Sequence, residues 1–152
     1  MMKEFLFNLI RKRKYDISIY TEEIFERRCQ EEIIRSDEDN SSFVYLEFNF
    51  NQIKKNFSDD NTYTKFWEVL LETISKNTRS SDIVGFLENG SGLGILLLDS
   101  KIDGWQRVKG RIVQMAKVMD FSNMEAILNK EIKPILYPTC IQDLTTQPAS
   151  SI

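Results

Sequence analysis

The sequence predicts an α+β domain: a ferredoxin-like, palm-like βαββαβ core with an antiparallel sheet, helices on one face of it, and extra helices at the N-terminus. Three observations carry that prediction. Residues Phe43 to Phe50 are rich in aromatic and β-branched side chains, which favour a strand. Two apolar runs, Ile83 to Leu87 and Leu93 to Leu98, flank the cluster Glu88, Asn89, Gly90, Ser91 and Gly92. Asn and Gly tolerate the positive φ of a tight turn, so this stretch reads as a β-hairpin. Between and after these runs lie amphipathic segments with helical period.

The 152 residues are enough for one domain with its own core, and 41% apolar with 28% charged residues is an ordinary globular balance. A net charge of −3 argues against a nucleic-acid surface, which needs a basic excess. The sequence has no histidine, which removes His-ligated zinc and every Ser-His or Cys-His nucleophile pair. Its two cysteines, Cys29 and Cys140, have no metal-ligand spacing. With no secretory signal they point to reduced thiols and a cytoplasmic location.

The first segment, residues 1–20, reads as an amphipathic helix or linker. Lys3 to Ile10 is largely apolar and runs into Arg11, Lys12, Arg13 and Lys14. That pattern fits a helix packed on the domain. It also fits a peripheral contact of residues 1–14 with an anionic membrane or a partner. Nothing approaches the roughly 20 apolar residues of a membrane span.

The domain proper is expected over residues 21–143. Thr21 is placed as an N-cap, with Glu22 and Glu23 where the helix dipole favours negative charge. The helix should run to about Arg35, with Ile24, Phe25, Arg28, Cys29, Glu32 and Ile33 recurring at helical spacing and Cys29 a core thiol. Ser36 to Ser42 reads as a loop. After the strand to Phe50 a helical turn is expected at Ile53 to Phe57. Tyr63, Phe66, Trp67, Leu70, Leu71 and Ile74 then mark a strong amphipathic helix. Asp99 and Ser100 offer a cap for the next helix, which carries Ile102, Trp105, Val108, Ile112, Met115, Ala116 and Met119. A short helix from Asn123 to Lys130 precedes a last strand at Ile132 to Ile141, whose prolines suit an edge. Residues 144–152 read as a disordered tail.

In this order of elements, and in an Arg79-x-x-Asp82 followed by Ile83 to Leu87 and then a turn, the chain resembles the GGDEF domains of bacterial diguanylate cyclases. The resemblance covers roughly Glu22 to Leu98 and fades toward the C-terminus. It implies that Glu88 and Asn89 occupy the positions of two glycines that admit GTP phosphates. Gly90 then stands at the catalytic acidic position, Ser91 at a metal-binding glutamate and Gly92 at the anchoring phenylalanine. Glu47 falls at a metal-binding aspartate, Asn49 at the following acidic position, and Asn56 is the one candidate for guanine recognition. Nucleotidyl transfer needs several oxygen anions converging on divalent cations, and this set does not supply them. The expectation is therefore no catalytic residue, no metal site and no cofactor.

The resemblance also implies a use for Arg79 and Asp82. In the family that pair, with an arginine from the later helix, holds cyclic di-GMP. An arginine fork matches a guanine edge or a phosphate, and a carboxylate accepts from guanine. Arg111 is the second arginine by spacing, with Arg107 one turn away. Two functions stay open: a catalytically inactive, cyclic di-GMP-binding regulator of a partner protein, and a nucleotide-independent interaction or dimerisation module. A working cyclase with unconventional residues and an RNA-binding sheet using Phe43, Tyr45, Phe48 and Phe50 are less consistent with the residues, since these aromatics suit a core.

Overall fold

The computed structural model describes residues 2–77 and 82–138. Arg79, Cys140 and the segment 144–152 lie outside the described residues. In chain order the elements are α1 (Met2–Arg13), α2 (Glu22–Asp39), β1 (Phe43–Asn49), α3 (Phe50–Lys54), α4 (Asp60–Asn77), β2 (Ile83–Phe86), a 3-10 turn (Glu88–Gly90), β3 (Gly92–Leu98), α5 (Ile102–Val118), α6 (Met124–Glu131) and β4 (Ile135–Tyr137). The protein is α+β. Its strands form an antiparallel sheet in the order β2-β3-β1-β4.

Two-residue alternation along β1 decides which layer each side chain joins. Val44, Leu46 and Phe48 point to the main core, with Leu93, Ile95 and Leu97 of β3 beside them. The apolar stripe of α4 closes this face: Phe66, Trp67, Leu70 and Leu71 are fully buried. Helices α5 and α6 contribute Trp105, Ile112 and Leu128. The α1 helix belongs to the same core, since Leu6 is fully buried there. Burying one leucine contributes about 2 kcal/mol, enough to hold a short helix on the body. Arg13 bonds Glu68 at 2.9 Å, while Arg11, Lys12 and Lys14 point to solvent.

The opposite face is not bare, as a sheet with all its helices on one side would be. Phe43, Leu96 and Leu98 point that way and are buried with Phe25 of α2. This explains why β1 is apolar on both faces in its first half. The expected cap is in place, with Thr21 Oγ1 accepting from the Ile24 amide.

Several boundaries differ from the sequence reading, each for a local reason. Helix α2 continues through Ser36 to Asp39 because Ser36 is buried and Arg35 ties Glu32 to Asp99; Asn40 then ends it in the left-handed region, φ 57°. The turn expected at Ile53 begins earlier, at Phe50, because Asn49 caps it by accepting from the Gln52 amide. Asp99 and Ser100 do not cap α5: Asp99 has φ 52°, Ser100 Oγ donates to the Leu98 carbonyl, and Lys101 stands at the cap. Strand β4 is only three residues long, since α6 and its exit carry the chain to Ile132. Among the described residues no helix is long and apolar enough to cross a membrane.

Candidate functional site

The sheet's second face is covered by α2 over β2 and β3. A cleft of about 920 Å³ remains beside it, floored by β1 and β4 and closed at one end by the 88–91 turn. Its chemistry follows from the strand alternation. The side chains of β1 that face away from the main core, Phe43, Tyr45, Glu47 and Asn49, all line it. The first turns of α2 add Glu22, Glu23 and Glu26, and the hairpin turn adds Glu88. The cleft thus has five carboxylates in its lining and no lysine or arginine.

Three of these carboxylates have side-chain partners, Glu23 the loosest of them at 4.0 Å from Arg27 on its own helix. Tyr45 Oη donates to Glu47 Oε2 at 2.6 Å. Desolvation, reinforced by that bond and the Glu47 charge, drives the Tyr45 hydroxyl far above its usual range. Lys3 of α1 donates to Glu22 Oε1 at 2.7 Å and sits 4.8 Å from the Phe86 ring centroid. The Lys3 bond, followed by backbone N–H groups that include Gly90's, holds the Glu22 carboxyl below its ordinary value.

The turn itself is built for internal bonding. Asn89 and Gly90 both adopt positive φ, 59° and 64°. The Gly90 amide donates to the Leu87 carbonyl, Ser91 to Glu88 and Leu87 to Gly92. The Ser91 and Leu87 N–H groups are therefore committed inside the hairpin, and the Gly90 N–H is shared between the Leu87 carbonyl and the Glu22 carboxylate, which leaves no grouped anion cradle. Gly92 is glycine for space, because a Cβ there would lie 2.3 Å from the Phe48 carbonyl oxygen of β1.

A nucleoside triphosphate with its metal ions does not fit this donor set. Among the described residues no group of three or more Asp, Glu, Cys or His side chains is placed to hold a metal ion. No cation among the cleft's lining residues stands ready for a phosphate. Asn49 caps α3. Asn56 is also used elsewhere: its Nδ2 lies 2.8 Å from Glu131 Oε2, tying α3 to α6, and it does not line the cleft.

Of the predicted ligand residues, Asp82 and Arg111 are described, and neither lines this cleft. Asp82 is half-buried just before β2. Arg111 of α5 is exposed and borders a small apolar gap on the opposite, helical face with Thr73 and Ile74 of α4. Helix α4 ends one turn later at Asn77, so the fold brings α5 beside the end of α4 that the Arg79-x-x-Asp82 stretch follows in sequence. Arg107, one turn earlier, lies 4.0 Å from Asp103. That Glu22, Glu23, Glu26 and Cys29 share the cleft wall was not legible in the sequence: Glu22 and Glu23 had a local role at the helix start, Cys29 one in its apolar stripe, and Glu26 carried no signal. Cys29 is half-buried; its thiol is pushed up to about 11, chiefly by desolvation and then by Glu26.

No protein-family model matches this sequence, and no curated protein matches it. Solved structures do match. One is the isolated GGDEF domain of TpbB (YfiN) from Pseudomonas aeruginosa, with TM-score 0.52 and 19% identity over 80% of this chain and 73% of that one. Another is a DGC protein from Thermotoga maritima, with TM-score 0.54 and 14% identity over 85% and 89% of the two chains. The chain has the fold of a GGDEF domain. The acidic cleft lies between the β2–turn–β3 hairpin, α2 and the open half of the sheet.

Proposed function

We propose that this GGDEF-like domain is catalytically inactive and regulatory, binding cyclic di-GMP through Arg79, Asp82 and Arg111 to control a partner protein. The observation that carries the inactive part is the cleft lining, with five carboxylates and no basic side chain. A triphosphate entering there meets like charge at Glu88, Glu23 and Glu26 without the converging oxygen ligands that would hold neutralising cations. Among the described residues, Asp82 and Arg111 stay outside that cleft: Arg111 borders the last turns of α4 and Asp82 precedes β2. A fork-shaped guanidinium and a carboxylate in that region can address guanine edges and phosphates together.

A turnover assay with GTP and magnesium or manganese tests the inactive part. The expected outcome is no cyclic dinucleotide above the protein-free blank. Product formation that Glu47→Gln abolishes would overturn it.

A further inference from the structure

The second face of the sheet is only half covered, and the uncovered half has the dimensions and chemistry of a helix seat. Phe25 anchors α2 over β2 and β3, where it packs against Gly85 and Gly94. Beside α2, the outward positions of β1 and β4 are left open: Glu47 is exposed and Ile135 is 56% exposed. The cleft is also polarised along its length. At the hairpin end stand Glu22, Glu23, Glu26, Glu47 and Glu88. At the other end stand Ile33, Phe43, Ile135 and Tyr137, where Tyr137 Oη bonds Asp37 near the end of α2. From Glu22 to Ile33 the helix rises roughly 17 Å, about three turns of a helix lying alongside.

We propose that this cleft docks a helix from a partner protein, basic at one end and apolar at the other. The basic end sits among the glutamates and the apolar end against Ile33 and Ile135. Charge complementarity selects the occupant, since a cationic segment meets five carboxylates and no lysine or arginine in the lining. An acidic or nucleic-acid partner would meet like charge. Among the described residues, the basic cluster of a second copy is poorly placed to serve. That cluster, Arg11 to Lys14, ends α1, whose apolar residues Leu6 and Leu9 are already buried in their own core. The lining includes neither Asp82 nor Arg111, so the test runs without nucleotide.

The probe is a fluorescent helical peptide with lysines at one end and leucines at the other, followed by anisotropy with the full chain. Glu26→Lys and Ile135→Asp, each at an exposed position, are expected to weaken binding about tenfold. Glu125→Lys, the same charge change on α6, should leave it within about twofold. Circular dichroism of each variant separates lost binding from lost fold. Equal weakening by Glu26→Lys and Glu125→Lys, unchanged binding in Ile135→Asp, or no binding of the probe at all would overturn the proposal. So would sedimentation showing that the chain alone dimerises and that Glu26→Lys dissolves the dimer.

Discussion

A Cβ on Gly94 would lie 2.4 Å from Cε2 of Phe25. Gly94 pairs across the hairpin with Gly85, where a Cβ would meet the same ring at 2.5 Å. Neither glycine has positive φ, so both are present for space, not backbone freedom. The paired glycines form a notch, and Phe25, 3% exposed, fills it and fixes α2 on the sheet.

Gly94→Ala should therefore destabilise the fold by about 2 kcal/mol through overpacking. Phe25→Ala should cost about 3–4 kcal/mol through the cavity it leaves. In the double variant the alanine methyl enters that cavity, so its loss should fall well short of the sum. Urea midpoints for the four proteins measure this directly. Additive losses would mean that Phe25 does not occupy the notch.

Glu22 ties three elements together, with Lys3 of α1 bonded to it and the turn glycine Gly90 beside it. Its carboxyl is held below the ordinary value of 4.5, so ionised Glu22 stabilises the folded state above that value. The contribution is lost as pH falls through the lowered one. Both partners are partly solvated, which limits the effect to about 0.5–1 kcal/mol. Glu22→Gln should be less stable than wild type by that amount at neutral pH, and the difference should close in acid. Denaturant melts at several pH values provide the measurement.

Cys29 should behave as a shielded thiol. Its value is raised from 9.0 to about 11, so its neutral form stabilises the fold below 9 and that contribution is lost as pH rises through 11. In a Cys140→Ser background, alkylation at neutral pH should run on the order of a hundredfold slower than for a free thiol, in line with the thiolate fraction. It should accelerate about tenfold per pH unit on the alkaline side. Timed iodoacetamide labelling followed by mass spectrometry checks both statements.

The secondary structure was legible wherever periodicity or turn chemistry set it. The stripe from Tyr63 to Ile74 became α4, and Asn89 with Gly90 took the positive φ that their residue types favour. Boundaries governed by tertiary contacts were not legible. Ser36 reads as loop until it is seen buried, and Asn49 reads as a lost acidic ligand until its side chain is found capping α3. The cleft was half legible. Its turn and Glu47 stood out in the sequence, whereas Glu22 and Glu23 looked like charges serving the helix dipole and Glu26 carried no signal. Only the docking of Phe25 into the Gly85–Gly94 notch turns those glutamates toward Glu47 and Glu88. A cross-strand pair of glycines facing one phenylalanine was the signal that could have revealed it.

Under the proposed function the acidic hairpin cleft does not take GTP, and Arg79, Asp82 and Arg111 bind the cyclic dinucleotide. Paired calorimetric titrations test it most directly, one with cyclic di-GMP and one with GTP and magnesium, on wild type and Arg79→Ala. The account predicts heat with cyclic di-GMP at tens of micromolar that Arg79→Ala abolishes, and none with GTP. Saturable heat with GTP, or cyclic di-GMP binding that is absent in wild type or unchanged in Arg79→Ala, would contradict it.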